Sequence, residues 1–162
     1  MPQTSYAAQA GAFSGVLDSD NHEIASRVNG EASTELRFGM AVVRGSAATE
    51  VKAPSADTDV LDGIVVHSHN YNPSTELGTV GVKADCPVNV LKRGRINVTV
   101  EEAVAIGDRL FVRYVSDGTK LPGALLKHAI PGEVLDCSAM GEFQSAAAIG
   151  GVAVLDFDCL NK

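Results

Sequence analysis

Residues 86–100, CPVNVLKRGRINVTV, carry the clearest indication of the fold. Apolar residues occupy every second position on both sides of Lys92-Arg93-Gly94, namely Cys86, Val88 and Val90 before it and Ile96, Val98 and Val100 after it. This period of two, together with the abundance of β-branched residues, predicts two strands. The basic pair followed by glycine predicts a solvated turn between them.

Extended segments of similar character follow one another along the rest of the chain. Asp62-Gly63 has the chemistry of a bend or bulge, and residues 116–119 that of a hairpin turn. Glu101-Glu102 opens a segment that predicts one solvated turn at the end of the barrel rather than a long helix. The other predicted strands are Leu36 to Val42, Val60 to Ser68, Gly78 to Ala84, Arg109 to Val115 and Ala148 to Asp158, with a loop from Gly45 to Asp59. Seven to nine short strands with 16 glycines predict an all-β fold, a small Gly-rich β barrel or sandwich.

The first 35 residues differ from the remainder. Their apolar side chains follow neither a strand period nor a helix period. We therefore expect an extended N-terminal arm over residues 1–35, with one short strand, and a β-barrel domain over residues 36–162. An arm of this kind either lies on a neighbouring molecule or is a frayed terminus.

Composition narrows the classes of partner. The 162-residue chain has a formal net charge of −7, which repels phosphate backbones and argues against nucleic acid as a partner. No apolar run approaches the length of a membrane helix, and the first residues do not have the pattern of a secretory signal. Three widely spaced cysteines predict neither a disulfide framework nor a zinc knuckle, which favours a reducing intracellular origin.

Catalytic motifs of the common hydrolase, nucleotide-binding and metalloprotease kinds are absent from the sequence. His67 and His69 lie two apart, so both could reach one metal ion from one face of a strand, although no third ligand is evident. Asp156 and Asp158 are explained most simply as solvated carboxylates that protect an edge strand. We therefore expect no enzyme activity and no cofactor.

Two groups of residues, within 61–115 and 150–156, carry a resemblance to a known family. They are Gly63-Ile64-Val65-Val66, Val90-Leu91-Lys92 with Gly94-Arg95-Ile96, Glu102-Ala103-Val104 with Gly107-Asp108, Leu110-Phe111-Val112, and Gly151-Val152-Ala153-Val154-Leu155. In these segments the chain resembles the cement, or decoration, proteins of tailed-bacteriophage capsids. The resemblance implies a β barrel whose arm or loops seal gaps between capsomers on the outer surface of the virion, without catalysis. It also implies the major capsid protein as partner, and self-association into a dimer or trimer.

The predicted contact residues follow from this resemblance and from the arm. The apolar arm residues would pack on the capsid or on a sister subunit, and the loop that starts at His67 would add polar and aromatic contacts. The full set is Tyr6, Phe13, Val16, Leu17, His67, His69 and Tyr71. Three alternatives remain open at this point: a tail or baseplate module, a metal-dependent enzyme built on His67 and His69, and a carrier domain modified at Lys120.

Overall fold

The computed structural model describes residues 13–18, 21–32, 36–67 and 81–160. Within these ranges the chain forms strands and no helix, so no helix there is long and apolar enough to cross a membrane. The strands are β1 (Glu23–Asn29), β2 (Leu36–Arg37), β3 (Ala41–Arg44), β4 (Glu50–Lys52), β5 (Leu61–Val65), β6 (Gly81–Val82), β7 (Pro87–Thr99), β8 (Phe111–Arg113), β9 (Leu125–Leu126), β10 (Val134–Asp136), β11 (Gly141–Phe143) and β12 (Val152–Asp158). The all-β prediction is confirmed.

Five strands close a barrel. Hydrogen bonding connects them in the order β1-β4-β3-β5-β7, and β1 closes the ring by pairing with β7. One core fills the barrel with small apolar side chains that alternate along the strands: Leu36, Met40, Val42, Val51, Val65, Val82, Val88 and Val90. The valine-rich composition therefore fits a narrow interior, in which the branched side chains pack without large aromatic rings.

β7 is one continuous strand of 13 residues, and the predicted turn at Lys92-Arg93-Gly94 is wrong. The part of β7 from Pro87 to Arg93 pairs with β1 and β5, whereas the part from Arg93 to Thr99 pairs with β12. Gly94 sits at this change of partners with a φ of +132°, and a Cβ there would lie 2.9 Å from the Cβ of His22. The glycine thus allows the chain before β1 to pass close to β7 without a reversal of direction.

A second core lies on the other side of the barrel wall. There the outer faces of β3, β5 and β7 pack against the strands that follow residue 100, with Leu110, Val112, Leu125, Phe143 and Phe157 all fully buried. Because β3 and β5 are buried on both faces, their apolar residues occupy consecutive positions, whereas exposed and buried positions largely alternate along β7. β8 pairs with β9 and β10 in a three-stranded sheet, while β11 extends the barrel sheet beyond β12.

Several predicted boundaries change in the structure. The strand predicted over Leu36 to Val42 is divided into β2 and β3 by a turn, and the predicted loop from Gly45 to Asp59 contains β4. The last strand begins at Val152 rather than Ala148, because Ile149 and Gly150 form a turn. The strand expected within the predicted arm is β1, which is part of the barrel. The division of the chain at residue 35 stays a prediction.

A buried carboxylate at the predicted bulge, Asp62 on β5, has basic partners on β1, β3 and β7. The register of β3 against β5 shifts opposite Asp62, which confirms the bulge. Asp62 is 4% exposed, and its carboxylate lies 2.7 Å from the Lys92 ammonium and 2.9 Å from the Arg27 guanidinium. Burial opposes ionisation, but the bonds from Lys92 and Arg27 outweigh it and lower the pKa of Asp62. Lys92 is therefore not part of a solvated turn as predicted, because its side chain is an internal ion partner.

Candidate interaction surface

The chain from Phe13 to Asp18 is hydrogen-bonded to β7 at Arg95 and Asn97. The Gly15 amide donates to the Asn97 carbonyl at 2.7 Å, and the Asn97 amide donates back to the Val16 carbonyl at 2.8 Å. The Ser14 hydroxyl bonds the Phe38 carbonyl at 3.0 Å. This part of the predicted arm is therefore hydrogen-bonded to its own domain, which fixes the course of its backbone.

The predicted contact residues have different environments. Phe13 is 73% exposed and Val16 is 37% exposed, whereas Leu17 packs against the second core. The His67 amide donates to the Gly15 carbonyl at 2.8 Å, and its ring lies 4.5 Å from the ring of Phe38. His67 and Phe13 thus face the same region of the surface. The remaining predicted residues, Tyr6, His69 and Tyr71, lie outside the described residues.

A wide groove of about 830 Å³ connects these side chains to two distant loops. Leu121 and Ile149, 38% and 74% exposed, line it together with Phe13. We call this surface the apolar groove; its lining residues are Phe13, Ser14, Arg37, Phe38, Gly39, Met40, His67, Thr99, Val100, Glu101, Thr119, Lys120, Leu121, Gly123, Ala124, Ile149 and Gly150. A concave surface with large exposed apolar side chains is typical of a protein contact.

A buried ion cluster supports the apolar groove from below. The Arg113 side chain is fully buried, and its guanidinium donates to both oxygens of Glu101 at 2.6 Å and to Glu133 at 2.7 Å. The bonds from Glu101 and then Glu133 raise the pKa of Arg113 despite its burial. Glu101 was predicted in a solvated turn, and that prediction is wrong, since its side chain is 9% exposed. The cluster fixes the loop that carries Thr99 to Glu101 against β8.

The neighbouring Glu102 has an equally specific role. Its carboxylate accepts the Lys127 amide at 2.7 Å, the His128 amide at 2.9 Å and a contact from His128 Nδ1 at 2.6 Å. Burial opposes ionisation, but these bonds lower the pKa of Glu102. Glu102 was also predicted as solvated, and it instead holds the end of β9 in place. The two consecutive acids thus anchor both sides of the loop beside the apolar groove.

Two cations belong to the apolar groove. The Lys120 ammonium lies 3.8 Å from Glu101, a carboxylate that Arg113 already binds through both oxygens. Arg37 is half-buried, and no described residue forms an ion pair with it. The surface is therefore locally cationic in a chain whose formal net charge is −7.

A second concave surface has the opposite character. We call it the acidic depression; its lining residues are Arg109, Ala139, Met140, Gly141, Glu142, Gln144, Asp156 and Asp158. Arg109 lies 3.0 Å from Glu142, and Arg95 lies 3.6 Å from Asp156. The prediction that Asp156 and Asp158 protect an edge strand is wrong, because β12 lies between β7 and β11. Among residues 13–18, 21–32, 36–67 and 81–160, no three His, Cys, Asp or Glu side chains are grouped to hold a metal ion.

Most residues that line the apolar groove were not predicted from the sequence as contact residues. Ile149 was assigned to a buried strand, while Arg37 and Leu121 were not singled out at all. The signals that mark these positions are the Gly150-Gly151 pair after Ile149 and the Pro122-Gly123 pair after Leu121, since both pairs favour turns that expose the preceding side chain. The local signals indicate where the loops lie, but not that they meet across one groove.

Comparison with known proteins gives a consistent assignment. Among solved structures, the fold is similar to a chain described as "The capsid of Myoviridae Phage XM1", with a TM-score of 0.68 and 17% sequence identity over 98% of this chain and 99% of that one. No curated protein sequence matches the chain. Residues 1–158 match the family described as "Structural cement protein (E217 gp24/Pam3 gp6)". The chain therefore belongs to the structural cement protein family of bacteriophages.

Proposed function

We propose that this protein binds the outer surface of a tailed-phage capsid, with the major capsid protein as its partner, and stabilises the contacts between capsomers without catalysis. The observation that carries the proposal is the apolar groove, in which exposed apolar side chains are held on a rigid all-β domain of the cement family. The domain adds contact area across a boundary, and this stabilises a shell without any chemical step.

The stabilising effect follows from binding equilibrium. A protein that binds the assembled shell, and not separated capsomers, lowers the free energy of the shell by an amount that grows with its free concentration. Each contact can therefore be modest, because many sites on one shell contribute together. A dimer or trimer of the cement protein would suit the symmetry axes at which capsomers meet.

Residues of the predicted arm contribute to this binding in the proposal. Phe13 and Val16 are exposed on a backbone that is already hydrogen-bonded, so this backbone loses little conformational entropy when a partner covers them. Tyr6 lies seven positions before Phe13 in the sequence and would extend the same contact, and His69 and Tyr71 follow His67, which lines the apolar groove. Leu17 supports the contact from the core side.

The test uses shells that lack the cement protein, made from the major capsid protein encoded with this chain. Purified protein is added in increasing amounts, bound protein is measured by sedimentation, and shell melting is followed by calorimetry. We expect saturable binding and a melting temperature that rises with the concentration of free protein. Protein that stays in the supernatant at all concentrations, with unchanged shell melting, would exclude the proposed function.

A deletion tests the contribution of the arm. Removing residues 1–12 eliminates Tyr6 but keeps Phe13 and the hydrogen bonds between residues 14–18 and β7. We expect weaker shell binding with an unchanged free energy of unfolding, and Tyr71→Ala tests the loop after His67 in the same way. Shell affinity equal to that of the full chain in both variants would remove these residues from the contact.

A further inference from the structure

The apolar groove has properties that define the chemistry of its occupant. Its two edges carry aromatic and aliphatic side chains, Phe13 at 73% exposure and Ile149 at 74%, which is unfavourable in water. Both side chains expose most of their surface to solvent, so the groove is an open surface rather than a cavity closed around a small ligand. An extended polypeptide with apolar side chains fits such a surface.

The charges add a second requirement. Arg37 has no ion pair within the described part of the chain, and Lys120 shares Glu101 with the much closer Arg113. A cation at the edge of an apolar surface gains most from an opposite charge when a partner excludes water around it. The occupant that satisfies both observations is apolar and carries a carboxylate within reach of Arg37 and Lys120.

We propose that the apolar groove binds an extended, apolar segment of the major capsid protein that carries an acidic side chain facing Arg37 and Lys120. The inference rests on the proposed function and specifies the partner segment of that surface. The N-terminal segment of a second copy fits the groove less well, because residues 1–12 contain no acidic residue and one aromatic residue.

Two matched pairs of variants test this assignment. Ile149→Asp places a charge on the groove edge, and Ile106→Asp makes the same change at an isoleucine that is 72% exposed and does not line the groove. Arg37→Glu reverses a groove charge, and Arg93→Glu gives the same net charge with a side chain that is 53% exposed outside the groove. Urea unfolding of all four variants verifies that each remains folded.

The probe is the shell that lacks cement protein. We expect Ile149→Asp and Arg37→Glu each to weaken shell binding by about tenfold or more, as is typical for central contact residues. Ile106→Asp and Arg93→Glu should bind like the unmodified protein. A photocrosslinking amino acid at Leu121 should then attach to a capsid segment that contains an aspartate or glutamate.

Each other outcome overturns a defined part of the assignment. Equal binding by the unmodified protein and all four variants would overturn the groove as the contact but leave the cement function intact. If Ile149→Asp loses shell affinity but Arg37→Glu binds shells as tightly as Arg93→Glu, the groove is the contact and its occupant does not carry the proposed acidic side chain. Self-association without shells that Ile149→Asp abolishes would assign the groove to a second copy. Failure of the unmodified protein to bind shells would overturn the proposed function itself.

Discussion

The apolar groove and the acidic depression are both concave surfaces, but they use their charges in different ways. In the depression, the Arg109 guanidinium lies 3.0 Å from Glu142, and two further carboxylates, Asp156 and Asp158, line the surface. In the groove, Arg37 has no ion pair among the described residues, and the exposed side chains at the edges are apolar. The charged groups of the depression are therefore solvated or paired with each other, whereas the groove leaves a cation and exposed apolar side chains available to a partner.

This difference shows why net charge alone is a poor guide to a binding surface. The formal charge of −7 describes the field at a distance and argues against nucleic acid. At the groove, however, the charged groups among the described residues are two cations and one carboxylate that is already bound by Arg113. Local pairing decides which charges remain for a partner, and pairing depends on the fold.

The largest expected effect concerns the ion pairs that belong to the two surfaces, one buried below the groove and one exposed in the depression. Arg113→Met would leave the Glu101 carboxylate, 9% exposed, without its cation below the groove. We expect a loss of about 3–5 kcal/mol in the free energy of unfolding, measured by urea titration. Arg109→Met, which breaks the exposed pair of the depression, should cost about 1 kcal/mol or less. Equal losses in the two variants would contradict the difference between the surfaces.

The next effect concerns the wall of the groove. Gly123 has a φ of +85°, and a Cβ there would lie 2.7 Å from the Ala41 carbonyl oxygen, which is backbone and has little room to move. Gly123→Ala should therefore destabilise the fold by about 2 kcal/mol or more. Gly150→Ala is the matched control, since Gly150 also has a positive φ but would place its Cβ in open space. A larger loss in Gly150→Ala would contradict this packing.

The third effect is the loss of folding stability in acid, to which the buried carboxylate of Asp62 contributes. Because its folded-state pKa lies below the ordinary value of 3.8, folding releases protons from Asp62. Its contribution to stability is complete above pH 3.8 and is lost as the pH falls through the lower, folded-state pKa. Asp62→Asn should flatten the decline of unfolding free energy below that pH, although Glu102 keeps part of it. An unchanged decline would contradict the assignment.

The smallest effect is expected in the acidic depression. Asp156 is 46% exposed and its carboxylate lies 3.6 Å from Arg95, a distance at which an exposed pair contributes little. Asp156→Asn should change the free energy of unfolding by less than about 0.5 kcal/mol and leave shell affinity unchanged. A loss of shell binding in this variant would assign the contact to the depression instead of the groove.

The sequence predicted those parts of the fold that depend on neighbouring residues. The turn at Asp117-Gly118 forms as expected, with Asp117 and Lys120 exchanging backbone hydrogen bonds at 3.0 and 2.9 Å. The bulge at Asp62-Gly63 and the alternation along β7 were predicted for the same reason, since glycine and a period of two are local signals. The all-β fold followed from these elements together.

Predictions failed where a distant partner decides the structure. Lys92-Arg93-Gly94 has the composition of a turn, yet Lys92 is buried because it binds Asp62, 30 positions earlier. Glu101 and Glu102 have the composition of a solvated turn, yet their partners are Arg113 and the backbone of residues 127–128. The groove depends on the meeting of six segments that are separate in sequence, and no local pattern encodes such a meeting.

Cryo-electron microscopy of shells saturated with the protein would show which surface of the barrel contacts the capsid. We expect density for the β barrel on the outer surface at boundaries between capsomers, with Phe13 and Ile149 against the capsid protein and Asp156 and Asp158 in solvent. A barrel that contacts the shell through the acidic depression, or that is seen only away from the boundaries between capsomers, would contradict this expectation.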